Sequence, residues 1–592
     1  MTAHDHDPAA PTSPTPPTAS RRRRILEPGR NKVRTLLVIV AFTGIYATIV
    51  LRLAWFGSLD MAVAGLSPAP PSIARPDILD RNGDLLARDM PAFSAFAEPR
   101  RIVDADEAVE KILAIFPDLN ARDLHTRLSG RSGFTWIRRS ISAREQQALW
   151  EQGIPGVGFR RETRRLYPNG SVAAQVLGAV NIDNKGIAGI ERWIDQSGLE
   201  VLQMAGLDLK RQDLAPVQLS VDMKVQHAFT DELRKEIDRF KAVGGAGLVL
   251  DVTNGEVVSL VSLPDFDPND ATQAQKPEHI NRINVGVYEM GSTFKAMTTA
   301  MALDSGVFNI HSVLDASKPL SFGRFRINDF RGEKRPLNMP EAFLVSSNIA
   351  FARMAMGVGV EGHKSFLGQL GQLDRLTTEL PESASPIVPR NWQAVNTATI
   401  AFGHGLAVTP LQAAMGIGAM VNGGHLIRPT FVKGTDPAER TIRDDVVTPA
   451  TGEALRYLMR LNAISGSAKG ANIDGYYIGG KTGTAEKVVN GRYDKSKVMT
   501  SFMGILPAHD PKYLFLVILD EPKAVEGTHG FRTSGWNAVP AAGRILRRIL
   551  PIMRMPPTMG NPAQPFPHTV AQRAWGADRL QIPVADAVLA NY

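Results

Sequence analysis

Gly291-Ser292-Thr293-Phe294-Lys295 stands where a loop meets a helical run predicted over residues 293–303. A spacing of three puts Ser292 and Lys295 on one helix face, within contact of each other. The helix N-terminus adds free N–H groups and the positive end of a dipole, both favourable to an alkoxide or oxyanion. A serine hydroxyl is a poor nucleophile until a neighbour takes its proton, and an amine desolvated by a helix and other cations can do that. By itself Ser-x-x-Lys is a common pattern, and Ser292 could simply cap the helix.

Two further stretches change its weight. Ser346-Ser347-Asn348 places two polar groups at i and i+2, which point apart on a helix, so a shared site requires the chain to break or turn there. Gly479-Gly480-Lys481-Thr482-Gly483-Thr484-Ala485 reads as a strand, with Lys481 and Gly483 on one face and Thr482 and Thr484 on the other. Its lysine precedes Thr-Gly, so it is not a phosphate-binding loop. Such a strand edge can hold an extended peptide by main-chain pairing while Lys481 meets its carboxylate. The ordered set S-x-x-K, S-x-N, K-T-G is the signature shared by penicillin-binding proteins and class A β-lactamases.

Apolar strands bracket these motifs. Residues 246–252 and 256–263 form one predicted pair, turned at Thr253-Asn254-Gly255, and 499–506 and 513–519 form another. Helical runs lie between them, including 410–421, and an amphipathic helix follows at 539–550 with Arg544, Arg547 and Arg548 on its wet face. The expectation is an α+β domain with a central antiparallel sheet flanked by helices, over residues 219–552. Residues 553–592 read as a Pro-rich, loosely ordered tail, with the loosening expected from Pro551. Residues 75–218 form a separate mixed, elongated region without a catalytic constellation. Asn82-Gly83 there predicts a type I′ hairpin turn, and 105–116 predicts a helix.

Of 592 residues none is cysteine, which removes disulfides, thiolate metal sites and Cys nucleophiles. The formal charge is +8, but seven basic residues between Arg21 and Arg34, against Glu27, supply most of it. The remainder is near neutral, so no nucleic-acid partner is expected. Residues 1–34 read as a disordered tail, 35–56 as a single transmembrane helix and 57–74 as a linker. Thr35 to Leu51 lacks charge, and Trp55 suits the interface. The basic cluster before the span puts the N-terminus in the cytoplasm and the rest outside. A cleavable signal peptide ending at Ala62-Val63-Ala64 is the rival reading, and the length of the apolar run opposes it.

The chain resembles the class B penicillin-binding proteins, specifically the division-type transpeptidases of the FtsI family. The likeness extends past the three motifs to Asp80-Arg81-Asn82-Gly83, Tyr167-Pro168-Asn169-Gly170, Gly189-Ile190-Glu191, Gly403-His404-Gly405 and Thr409-Pro410, covering roughly residues 75–550. It implies a non-catalytic pedestal at 75–218, of the dimerisation-domain type, and a transpeptidase domain after it. Ser292 would attack the carbonyl between the two terminal D-alanines of a peptidoglycan stem peptide. Lys295 would be the base, although the group that deprotonates the serine is disputed for this motif set. Ser346 would relay a proton to the leaving amine, tuned by Lys481, with Asn348 on the donor peptide. Thr482, Gly483 and Thr484 would hold the substrate, and the N–H groups of Ser292 and Thr484 would form the oxyanion hole.

The family departs here at Met290, where proline is frequent, and at Pro76, where glycine is frequent. The resemblance further implies β-lactams as covalent inhibitors, residence in the bacterial inner membrane with a periplasmic catalytic domain, and a partner membrane glycosyltransferase with other division proteins. It implies no cofactor and no metal. The rivals are an elongation-type transpeptidase, a β-lactamase or D,D-carboxypeptidase, and a β-lactam sensor. His404, between two glycines, reads as a packing residue rather than a ligand.

Overall fold

The computed structural model describes residues 28–63, 74–199, 214–489 and 491–558. Most of the expected N-terminal tail, most of the linker and most of the C-terminal tail lie outside them. Helix α1 (Pro28–Val63) overruns the expected span at both ends, so residues 28–34 and 57–63 are helical rather than tail and linker. Pro28 at the first position is pre-set for helical φ. Among the described residues no helix is long and apolar enough to cross a membrane. In α1 the side chains are described only for residues 36–52 and 54, and their large apolar members, such as Leu37, Val40 and Leu51, are exposed.

The pedestal sheet is built on β1 (Ile78–Leu79) and the long β2 (Leu85–Ala97). Helices α2 (Ala105–Ile115) and α3 (Ala121–Leu128), strand β3 (Thr135–Ile141), helix α4 (Ala143–Glu151) and strand β4 (Val157–Leu166) follow. Strand β2 pairs antiparallel with β4 from Arg88 to Ala97 and with β3 near Phe93 to Ala97. Ala95 and Ala97 are small enough to let Ile112, Phe116, Leu124 and Leu128 of the helices pack over that end of the sheet. The expected type I′ turn does not form: Gly83 has φ of 92°, whereas Asn82 does not adopt positive φ. The Asp80 carboxylate explains the difference, because its Oδ1 accepts from the N–H of Asn82 at 2.7 Å and of Asp84 at 2.8 Å. An Asx-type loop satisfies those donors without a second left-handed residue.

Buried charge holds the pedestal's base. Glu191 receives Arg75 Nε at 2.8 Å, Arg165 Nε at 2.7 Å and the Tyr167 hydroxyl at 3.1 Å, while Arg165 also reaches Asp89 at 3.1 Å. Burial alone would raise the Glu191 pKa, but the two guanidiniums overcome it and hold the group below the usual carboxylate range.

Strand β5 (Val217–Gln218) runs parallel to β1 and carries the chain into the second domain. Asp80 reaches across this junction to accept from the N–H of Met223 at 3.2 Å, and Arg81 pairs with Glu256 at 3.0 Å. Helix α5 (Met223–Phe240) precedes β6 (Gly244–Asp251) and β7 (Val257–Leu263). Near the C-terminus lie β8 (Gly479–Val489), β9 (Arg492–Leu506) and β10 (Tyr513–Asp520). The sheet order is β8-β9-β10-β6-β7, antiparallel throughout.

Strand β10 is buried along its whole length because helices cover both sheet faces. Phe515, Val517 and Leu519 pack with Phe229 of α5 and Ile545 and Leu546 of helix 538–552, while Leu514, Leu516 and Ile518 pack with the helices of the opposite layer. Period-two alternation divides one apolar strand between two cores. Each such side chain, fully buried, contributes roughly 1.5–3 kcal/mol. The last helix runs past Pro551 to Ile552, and residues up to 558 are tied down: Met553 and Met555 pack on the core and Thr558 N–H donates to the Gly475 carbonyl at 2.7 Å. The loosening expected from Pro551 does not occur there, because apolar contacts outweigh the one lost helical N–H.

Candidate active site

Helix α6 (Phe294–Asp304) starts after a 3₁₀ turn spanning Gly291–Thr293, so Ser292 belongs to the turn rather than to the helix proper. Ser292 caps nothing: the N-cap positions of both the turn and the helix lack a side-chain cap. The turn is clamped from two sides. Gly291 has φ of 55°, and a Cβ there would lie 2.7 Å from the Thr484 carbonyl oxygen. Gly403 has φ of 84°, and a Cβ there would lie 1.9 Å from the Gly291 carbonyl oxygen. Only glycine satisfies both the left-handed backbone and these approaches.

Helix α7 (Met339–Leu344) ends just before Ser346, and α8 (Asn348–Val358) begins just after. Ser346 has φ of 55°, and this left-handed residue is the break that the i, i+2 spacing requires. Ser347 caps α8 by accepting from the N–H of Ala350 at 3.1 Å, which turns its side chain from the site. Ser346 and Asn348 thereby face one lysine. Lys295 Nζ lies 2.5 Å from the Ser346 carbonyl, 2.9 Å from Ser346 Oγ and 2.8 Å from Asn348 Oδ1. No hydrogen bond joins it to Ser292; a carbonyl, a hydroxyl and an amide oxygen hold the amine at the Ser346 turn.

Strand β8 closes the other side. Lys481 Nζ reaches Ser346 Oγ at 3.0 Å and Thr482 Oγ1 at 3.5 Å. Thr482 Oγ1 also meets Ser467 Oγ at 2.9 Å. At Gly483 a Cβ would lie 2.7 Å from the Met290 carbonyl oxygen, so the strand presses directly on the turn carrying Ser292. Thr484 Oγ1 accepts from the N–H of Ser534 at 3.1 Å and is occupied by that contact. Strand alternation assigned Lys481 and Thr482 to opposite faces, yet the long lysine side chain brings its amine back beside the threonine hydroxyl.

Both lysines are fully buried. Phe351 lies 5.5 Å from Lys295 Nζ and Phe343 lies 5.6 Å from Lys481 Nζ, so each amine sits on an aromatic ring. Burial pushes the Lys481 amine down to about 7. Burial and the Lys481 charge together hold Lys295 well below an ordinary amine, with Asp329 acting the other way. Two buried ammoniums on one hydroxyl repel, so at neutral pH the pair favours a state with one neutral amine.

Several residues escaped the sequence reading. Asp329 holds Ser347 Oγ at 2.7 Å and the Ile349 N–H at 3.0 Å, fixing the turn that presents Ser346 and Asn348. Ser467 and Ser534 brace β8 through Thr482 and Thr484. No local pattern marks any of the three, since each acts on a partner at least 15 positions away in the chain.

The chain matches the family described as penicillin binding protein transpeptidase domain over residues 245–546, and the penicillin-binding protein dimerisation domain over residues 71–197. It is 36% identical to the probable peptidoglycan D,D-transpeptidase FtsI of Caulobacter vibrioides, covering 88% of this chain and 89% of that protein. It is 28% identical to the peptidoglycan D,D-transpeptidase FtsI of Escherichia coli K12, covering 82% and 85% respectively. It is also 29% identical to stage V sporulation protein D of Bacillus subtilis, covering 82% and 79%. Domain order, relatives and the convergence of Lys295, Ser346, Asn348 and Lys481 beside Ser292 agree: this chain belongs to the penicillin-binding protein transpeptidases, as a class B member of the FtsI family.

Proposed function

We propose that the protein is a serine D,D-transpeptidase that cross-links peptidoglycan stem peptides through an acyl-enzyme on Ser292, in septal wall synthesis. The observation that carries the mechanism is Ser346 Oγ, within 2.9 Å of Lys295 and 3.0 Å of Lys481. In the reactive state Lys295 is neutral and Lys481 charged. Lys295 takes the Ser292 proton as Oγ bonds to the carbonyl carbon of the penultimate D-alanine. The C–N bond then breaks, and Ser346, resupplied by Lys481, gives a proton to the departing D-alanine amine. A second stem peptide's amine enters by the reverse path, with Lys481 now neutral, and its attack restores Ser292 and forms the cross-link.

The N–H groups of Ser292 and Thr484 serve as the oxyanion hole, which the packing of Gly291 on Thr484 supports. A donor of this kind contributes about 2.7–4 kcal/mol. Asn348, Thr482 and Gly483 hold the donor peptide along β8. A β-lactam acylates the same serine by presenting a strained amide in place of the D-alanyl bond.

The septal assignment is supported by the names of the FtsI relatives. An inner-membrane anchor is supported by the uncharged run from Thr35 to Leu51 within a 36-residue helix and by the basic residues before it. On this reading the catalytic domain lies in the periplasm with the pedestal between it and the membrane, and a membrane glycosyltransferase supplies the new strands. Mass spectrometry of a penicillin-treated digest tests the chemistry: the adduct belongs on the Ser292 peptide, and an adduct elsewhere overturns the reading. Imaging a fluorescent fusion tests the septal role, which a lateral-wall pattern without midcell enrichment would defeat.

A further inference from the structure

We propose that His404 is a positioning residue for acylation, held by Glu289 so that the Ser292 turn, the Gly403–Gly405 loop and the β8–β9 hairpin keep one fixed arrangement.

Glu289 lies two residues before Gly291 and is largely enclosed. Its Oε1 accepts from the Gly405 N–H at 2.9 Å and the Tyr493 hydroxyl at 2.8 Å, and its Oε2 meets His404 Nδ1 at 3.2 Å. The three donors come from two segments far away in sequence. The His404 ring packs against Tyr493 with centroids 4.4 Å apart, and Phe402 lies on it at 6.4 Å. The reading of His404 as mere packing therefore omits a charged partner.

The same loop grips the turn a second time, because the Gly403 carbonyl accepts from the Gly291 N–H at 3.3 Å. Tyr493 sits opposite Val488 near the hairpin's tip, beyond a bulge that follows Glu486. A bulge bends the strand and increases its twist, which lets the tip fold back toward Glu289. The hairpin thus holds the nucleophile turn at two points, Thr484 against Gly291 and Tyr493 against Glu289. Neither Glu289 nor His404 bonds to Lys295, Ser346 or Lys481, so their contribution is geometric. A misplacement of about 1 Å at a reacting centre costs on the order of a hundredfold in rate.

The inference rests on the acyl-enzyme reading, and one experiment separates the two. Stopped-flow acylation by a fluorescent penicillin gives the apparent dissociation constant and the limiting acylation rate for wild type, His404→Phe, Glu289→Gln and Tyr493→Phe. His404→Phe keeps the ring but loses Nδ1, and is expected to lower the limiting rate about tenfold or more with the dissociation constant little changed. Glu289→Gln is expected to do the same. Tyr493→Phe, at the exposed end, is expected to lower it less, and the His404→Phe/Tyr493→Phe double variant to lose less than the product of the single losses. His404→Asn, which retains an N–H donor, is expected to recover part of the rate if His404→Phe folds poorly. Variants that acylate as fast as wild type, or losses confined to the dissociation constant, or losses that simply multiply, would overturn the proposal. A wild type that carries no adduct on Ser292 would instead defeat the acyl-enzyme reading.

Discussion

Lys295 and Lys481, 186 positions apart in the chain, bond to the same oxygen, Ser346 Oγ, at 2.9 and 3.0 Å. A half-buried hydroxyl between two amines can accept from the charged one and donate to the neutral one. That arrangement moves a proton in either direction without a titratable group of its own.

Charging of the Lys481 amine as pH drops through about 7 produces the reactive pair, so acylation is expected to rise there. It is expected to fall at lower pH, where Lys295 takes the second proton and no base remains. Lys481→Met removes the repulsion that lowers Lys295, so the acid limb of what activity survives shifts to higher pH. Asp329→Asn removes the carboxylate that raises Lys295, so its limb shifts to lower pH. Limiting acylation rates between pH 5 and 9 check both directions, and shifts of the same sign would refute the assignment.

Lys481 also bears on stability. Its folded-state pKa lies below the unfolded value of about 10.4, so the buried amine opposes folding, fully below about 7 and progressively less as pH rises toward the unfolded value. Lys481→Met is expected to stabilise the domain near neutral pH by about 1–4 kcal/mol while abolishing cross-linking. Urea midpoints at pH 7 and pH 10 measure it, and the gain should shrink at the higher pH.

Gly403→Ala would put a methyl 1.9 Å from the Gly291 carbonyl in a left-handed backbone. The expected result is a loss of acylation on the order of a hundredfold, with destabilisation of about 1–3 kcal/mol. Penicillin labelling and thermal unfolding on the same preparation separate the two effects.

Glu191→Ala leaves Arg75 and Arg165 buried together without their shared carboxylate. The expected cost is about 3–5 kcal/mol, confined to the pedestal. Limited proteolysis should cleave between residues 75 and 199 while Ser292 in the retained catalytic domain still takes up penicillin.

Much of the fold was legible because burial writes itself into local pattern. The helix at 410–421 has the predicted ends, since Thr409 caps it and Pro410 starts it. The strand at 513–520 is one residue longer than its apolar run suggested. Errors gathered where a side chain or terminus substitutes for a backbone pattern: Asp80 replacing the type I′ turn, and Met553 and Met555 holding a segment whose prolines suggested slackness.

The sequence by itself determined the chemistry: which residues carry a hydroxyl, an amine or an amide, in which order, and that a site shared by Ser346 and Asn348 requires a break or turn between them. The tertiary structure decided who meets whom. It set Lys295 against Ser346 and Asn348, brought Lys481 onto the same hydroxyl, and joined Glu289 to Tyr493 across 204 positions. Propensity and periodicity act over a few residues. Desolvation, charge sharing and close backbone approach exist only once distant segments are packed, and those terms set the amine pKa values and the shape of the nucleophile turn.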